Sequence, residues 1–321
     1  MFAPHVAAEG PALARSSGRA GATEEAARHP ASRPARRAFV LGAASSALLA
    51  WACDPRPPAE RADALRIISL APSITETLFA MGADESVVGV SDYCDYPEGA
   101  QRRPRAGTAL TPNIEAIASL RPTLILSQRA QGSRVEALRA IARTELLPWL
   151  TLSEVLSSTR ALGRLTSREA AAEALAATLE ERLSQRPPEG APRVLMVLGS
   201  TPGKMSEIWF LRRNALHGTV LEAAGGRNAV AEDISRTPNL PLERVIALDP
   251  EVVLILVGVD RIEDSVEARY IADWKALPIA AAKRGAIRVI HGPEVKSTGP
   301  RILGLLDKVT AAIHDATAHP R

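Results

Sequence analysis

Between residue 66 and about residue 314, short apolar runs alternate with stretches in which apolar positions recur every three to four places. Arg66-Ile67-Ile68-Ser69-Leu70 is the first run. Ala71-Pro72 closes it, and it reads as a buried strand. Ser73-Ile74-Thr75-Glu76 has the form of a capping box, with Ser73 as cap and Glu76 reaching back. It opens a helix through Leu78, Phe79 and Met81 that Gly82 stops. Val87-Val88-Gly89-Val90 is the next strand. Asn113 caps a helix with Ile114, Ile117, Ala118 and Leu120 on one face, and Pro122–Ser127 is a third strand. Val135–Arg143 reads as helix and Glu145–Leu150 as strand. Nearly continuous apolar strands alternating with helices predict a parallel sheet covered on both faces.

The pattern changes over 153–189. Thr166-Ser167-Arg168-Glu169 has the form of a second capping box, and 167–185 is rich in Ala, Glu, Arg and Leu until Pro187-Pro188. This reads as one long helix with no strand beside it. Strand and helix signals then resume: Arg193–Leu198 as strand, a helix around Thr219–Ala224, Leu242–Leu248 as helix, Val252–Val257 and Ile287–Ile290 as strands, and Pro300–Ile313 as the last helix. The expected architecture is α/β, with two Rossmann-like lobes, 65–152 and 190–321, joined by a single long backbone helix within 153–189.

The amino-terminal part carries a different signal. Residues 38–52 form an apolar run of small residues, too short to span a bilayer and preceded by arginines, which is the layout of a signal peptide. Arg36-Arg37 followed by Ala38-Phe39-Val40 is similar to a twin-arginine export signal; a plain positive flank for general secretion is the other reading. The run ends Leu49-Ala50-Trp51-Ala52-Cys53. Cys53 is placed for acylation, as in a lipobox, or else the small residues at 50 and 52 mark simple cleavage. Residues 1–53 are thus expected to be an export segment, and 54–64, rich in Pro and charge, a tether.

Composition narrows the function. The apolar share is 46% and the formal charge only +3, with much of the basic excess in residues 1–37. No stripe of Lys and Arg interleaves with aromatics, so nucleic acid is not an expected partner. Aromatic residues make up 3% of the chain, which makes each one informative. No His/Cys/Asp cluster has metal-ligand spacing, so a bare metal site is not expected. Gly199-Ser200-Thr201-Pro202-Gly203-Lys204-Met205-Ser206 follows a strand but fails as a phosphate-binding loop on its glycine spacing and on Met205. No nucleophile–base set and no paired carboxylates suggest an enzyme. A chelatase-like cofactor enzyme is kept as the alternative of another class.

Eight segments carry a family resemblance: Ile68–Glu76, Val88–Ser91, Asp95-Tyr96-Pro97, Pro112–Ile117, Leu120–Ile125, Ala224–Asn228, Leu248–Val253 and Gly299-Pro300-Arg301. In this order the chain resembles the periplasmic substrate-binding proteins of metal-chelate ABC importers, which bind vitamin B12, haem and ferric siderophores. The resemblance implies a class III periplasmic binding fold and a periplasmic or extracytoplasmic location, and the lipobox-like run adds the expectation of a lipid anchor on Cys53. It further implies a monomer that is not an enzyme, and partnership with an ABC permease and its ATPase subunit. It implies no intrinsic cofactor and a corrinoid, haem or siderophore as ligand, with the corrinoid favoured. The cleft loops would be 69–73, 91–97, 127–132 and 199–209, with Tyr93, Tyr96, Gln128, Trp209 and His291 as ligand contacts. Ala109 and Gln128 stand where relatives that bind vitamin B12 carry tryptophan. Cys94, beside Tyr93, reads as a small half-buried residue or, alternatively, a thiolate ligand. Glu115 and Glu243, each at the start of a helix, would meet arginines of the permease; as plain helix-start acids they would only complement the helix dipole.

Overall fold

The computed structural model describes residues 64–129, 134–199, 201–206, 208–233 and 238–318. The expected export segment and tether, with Arg36, Arg37 and Cys53, lie outside the described residues apart from residue 64. The first half builds β1 (Ile67–Ser69), α1 (Pro72–Ala80), β2 (Val87–Val90), α2 (Glu98–Gln101), α3 (Ile114–Ser119), β3 (Leu124–Gln128), α4 (Val135–Arg139) and β4 (Arg143–Leu147). Its strands form a parallel sheet in the order β2-β1-β3-β4. Two helices follow, α5 (Leu152–Thr166) and α6 (Glu169–Leu183).

The second half builds β5 (Arg193–Leu198), β6 (Ile208–Trp209), α7 (Leu216–Ala223), β7 (Arg227–Asn228), β8 (Asn239–Leu240), α8 (Leu242–Leu248) and β9 (Val252–Val257). It closes with α9 (Asp264–Lys275), α10 (Ala280–Arg284), β10 (Ile287–His291) and α11 (Ile302–Ala318). Its main sheet is parallel, in the order β10-β9-β5-β7, and β6 pairs antiparallel with β8. Each four-stranded sheet draws its strands from one half, and among the described residues the chain passes between the sheets once, through 148–192.

A strand alternates its side chains between two faces, and both faces here are apolar. Val252, Leu254 and Leu256 of β9, with Val194 and Met196 of β5, point into one core layer; Val253, Ile255 and Val257, with Leu195 and Val197, point into another. The first sheet does the same: Ile67, Leu124 and Leu126 face the first of these layers, whereas Ile68 and Ile125 face a separate cluster with Ile117 and Leu138. The shared layer also takes Val155, Leu156 and Leu162 of α5 and Ala172, Ala176 and Leu179 of α6. It is therefore continuous between the sheets. Fully burying one such aliphatic side chain contributes about 1.5–3 kcal/mol.

Both expected capping boxes are replaced by other structures. α1 starts at Pro72, with Ala71 as its cap and no side-chain cap bond. Proline's fixed φ suits the first helical position, so the helix begins before Ser73 can cap it. In the connecting segment, Ser167 takes a left-handed conformation (φ 54) and ends α5. The expected single helix is two 15-residue helices that pack on each other. Gly163 allows their close approach, since a Cβ there would stand 2.5 Å from Ala172 Cβ. Arg160 ties the pair together through Glu173 at 2.8 Å and Glu180 at 3.5 Å. A complete capping box does exist at Thr151 and Glu154, opening α5.

Candidate functional site

In open parallel sheets, ligands bind beyond the carboxyl ends of the strands, where the strand order reverses direction. In the first sheet that point lies between β1 and β3, because β2 continues to one side and β4 to the other. In the second it lies between β5 and β9. The loops at these ends supply the expected site residues.

The loop after β2 is pinned from beneath. Ser91 N donates to Ser69 O at 2.8 Å, and Asp92 Oδ1 accepts from Gly107 N at 3.2 Å. Arg105 Nη1 donates to Ser91 O and Cys94 O at 2.9 and 2.8 Å. Cys94 is buried, its sulfur 3.1 Å from Thr75 Oγ1, which itself donates to Ser69 Oγ at 2.8 Å. Burial pushes the Cys94 thiol up to about 11, so it is protonated at neutral pH and packed below the loop rather than presented as a thiolate. Above this base, Tyr93 is 61% exposed and Tyr96 46% exposed. One face of Tyr96 is covered by the Arg301 guanidinium, 4.3 Å from the ring centroid.

Gln128, at the end of β3, donates through Nε2 to Ser73 Oγ at 2.6 Å and is half-buried. In the second half, Leu211 N donates to Met196 O and Val197 bridges Phe210, which sets Trp209 beside the carboxyl end of β5. His291 ends β10 opposite Val257, with Nδ1 3.2 Å from Asp260 O. Trp209 and His291 therefore both lie near the carboxyl-end side of this half's main sheet. Both are half-buried. His217 is elsewhere: it is half-buried in α7 with Nε2 3.1 Å from Val295 O, and desolvation holds its pKa below the ordinary imidazole value.

Contacts from the second half to the first, which the sequence reading missed, bound this region. Arg301 Nη2 donates to Glu76 Oε1 at 2.6 Å, Ser297 Oγ donates to Glu76 Oε2 at 3.1 Å, and Trp149 Nε1 donates to Thr298 O at 2.7 Å. Glu76, expected to cap its own helix, is instead buried and holds residues 225 positions away.

Glu115 and Glu243 are exposed, each at the second residue of a short helix, α3 and α8. Glu243 borders a shallow recess of about 490 Å³ lined by Gly203, Lys204, Met205, Ser206, Pro241 and Leu242. Among the described residues no group of His, Cys, Asp and Glu is placed to hold a metal ion, and no helix is long and apolar enough to cross a membrane.

Residues 67–288 match the family model described as periplasmic binding protein, and the chain belongs to that family. It is 28% identical over 308 residues to the cobalamin-binding protein of Halobacterium salinarum, covering 84% of this chain and 81% of that one. The structure of the periplasmic vitamin B12 binding protein BtuF of Vibrio cholerae superposes with a TM-score of 0.62 at 25% identity, covering 78% of this chain and 97% of that one. A periplasmic haem binding protein from Pseudomonas aeruginosa shares the fold, with a TM-score of 0.62, 24% identity, and 80% and 94% coverage. The α/β class III architecture expected from the sequence is the one found. Family membership makes the chain a solute carrier rather than an enzyme, acting in the periplasm or otherwise outside the cytoplasm.

Proposed function

We propose that the chain is the substrate-binding component of an ABC importer for B12, haem or iron chelates, and that its ligand is a corrinoid. The observation that carries the reading is Tyr93, an aromatic ring 61% exposed on a loop pinned from below, at the sheet end where this fold places ligands. A flat macrocycle with an apolar face suits stacking on such a ring. Tyr96, Gln128, Trp209 and His291 supply the surrounding contacts, and the likeness to a cobalamin-binding protein over 84% of the chain supports the corrinoid over other chelates. Glu115 and Glu243 dock the two halves to the permease. Arg36 and Arg37 direct export and Cys53 carries a lipid anchor.

Titration of the purified protein with cyanocobalamin, haemin and a ferric siderophore, followed by absorbance, tests the ligand assignment. Saturable binding of cyanocobalamin with the tightest dissociation constant is expected. Tighter binding of haemin would move the assignment to haem. For export and anchoring, fatty-acid label lost on Cys53→Ala and precursor trapped by Arg36→Lys with Arg37→Lys are expected; persistent label or unchanged export would sink the respective assignment.

A further inference from the structure

Arg301 brings three segments together at one point. Its Nη2 donates to Glu76 Oε1 of α1 at 2.6 Å and lies 3.4 Å from Asp95 Oδ1 in the loop after β2. Its guanidinium carbon sits 4.3 Å from the centroid of Tyr96 in that same loop. Arg301 itself belongs to the turn before α11, in the other half of the molecule. The Glu76 side chain is 2% exposed and that of Arg301 18% exposed, whereas Asp95 is 74% exposed.

A carboxylate this buried is tolerated only when its lone pairs are matched. Arg301 takes one oxygen and the Ser297 hydroxyl takes the other. Gly299 lets the 297–301 segment come this close, because a Cβ there would stand 2.8 Å from Glu76 Oε2. Ser297 Oγ also accepts from Gly299 N at 3.1 Å, which fixes the turn. The Glu76 end of the arrangement is therefore rigid, and the Tyr96 end depends on it.

We infer that Arg301 is a positioning residue for ligand capture: held by Glu76, it fixes the 91–97 loop, and with it the Tyr93 ring, against the second half of the molecule. The residue type matters. A guanidinium is planar, so it donates along its edge to a carboxylate while its face lies on an aromatic ring; an ammonium does not combine the two in this way. Its Nη2 already faces two carboxylates, Glu76 and Asp95. Arg105 holds the loop from within its own half, and Arg301 holds it from the other. Tyr96 has one face taken by this clamp, which leaves Tyr93 as the more open stacking surface. A loop ordered before binding loses less freedom when the ligand arrives.

The inference rests on the proposed corrinoid site for its ligand arm only. Arg301→Lys keeps a cation for Glu76 and loses the planar stack on Tyr96. Glu76→Gln combined with Arg301→Gln removes both buried charges together, so that neither is stranded. In the full chain without ligand, hydrogen–deuterium exchange of the 91–97 amides is expected to rise about three- to tenfold in Arg301→Lys, the scale of losing one cation–π contact, and about tenfold or more in the double variant, which also loses a hydrogen bond between charged groups. The thermal midpoint of Arg301→Lys should barely move. Cyanocobalamin should dissociate about tenfold faster from Arg301→Lys, with little change in its association rate. Wild-type exchange rates across 91–97 in both variants would overturn the inference. If the wild type takes up no cyanocobalamin, the corrinoid reading fails, and the exchange measurement still decides the role of Arg301.

Discussion

Gln128 Nε2 donates to Ser73 Oγ across 2.6 Å, fastening the carboxyl end of β3 to the first turn of α1 at the switch point of the first sheet. Ser73 is 3% exposed, so removing its donor leaves a buried hydroxyl short of a partner. Gln128→Ala is expected to lower the unfolding free energy by about 1–2 kcal/mol. Urea denaturation checks this. Weakened cyanocobalamin binding alongside the loss of stability would accord with the ligand contact proposed for Gln128, and unchanged stability would show that the Ser73 bond contributes nothing to folding.

Tyr93 is the most exposed of the large apolar side chains described, so its ring contributes little to folding. Tyr93→Ala should leave the thermal midpoint in place while weakening cyanocobalamin binding by about 1–3 kcal/mol. Tyr93→Phe, which keeps the ring, should recover most of that affinity. Isothermal titration of the three proteins separates stacking from a role for the hydroxyl.

Glu115 and Glu243 lie at exposed helix starts away from the Tyr93 loop in sequence and in element. Their alanine variants should bind ligand like the wild type yet fail to stimulate the partner ATPase in proteoliposomes. Paired charges of this kind set registration and encounter rate, so raising salt should weaken stimulation by the wild type. Loss of ligand binding by Glu115→Ala would reverse the assignment. Wild-type behaviour of both variants in both assays would leave the two acids as helix-dipole partners.

His217 gives a pH-dependent stability with a defined sign. Burial lowers its folded pKa, only partly offset by the Val295 carbonyl, while the unfolded chain keeps a value of about 6.5. Below that pH the unfolded chain takes up a proton that the folded one refuses. Stability therefore falls as pH drops from about 6.5 toward the folded value, by up to ~1.4 kcal/mol per pH unit. His217→Gln removes the titration and keeps a donor for Val295 O. Urea unfolding between pH 5 and 7.5 should show a shallower slope for the variant, and equal slopes would mean that the imidazole is solvated.

What could be read from the sequence follows from range. β5 and β9 match the expected Arg193–Leu198 and Val252–Val257 because a strand buried on both faces is an unbroken apolar run, a purely local signal. α8 was legible for a similar reason, through its short apolar repeat after Pro241. Glu76 was misread because four residues of local pattern fit a capping box, while its true partners, Ser297 and Arg301, lie more than 200 positions on. The break at Ser167 was missed because its left-handed turn has no glycine or proline to mark it. The β6–β8 ribbon escaped detection because two-residue strands carry no period.

The apolar layer that runs from Ile67 and Leu126 through Leu162 and Leu179 to Leu254 and Ile313 is one body of packed side chains. A protein built this way melts as a whole. Severing the chain near residue 188 would strip each fragment of part of the surface that keeps it dry, and neither piece would be a domain in the sense of folding by itself. A single calorimetric peak, rather than two, is the signature of that shared interior.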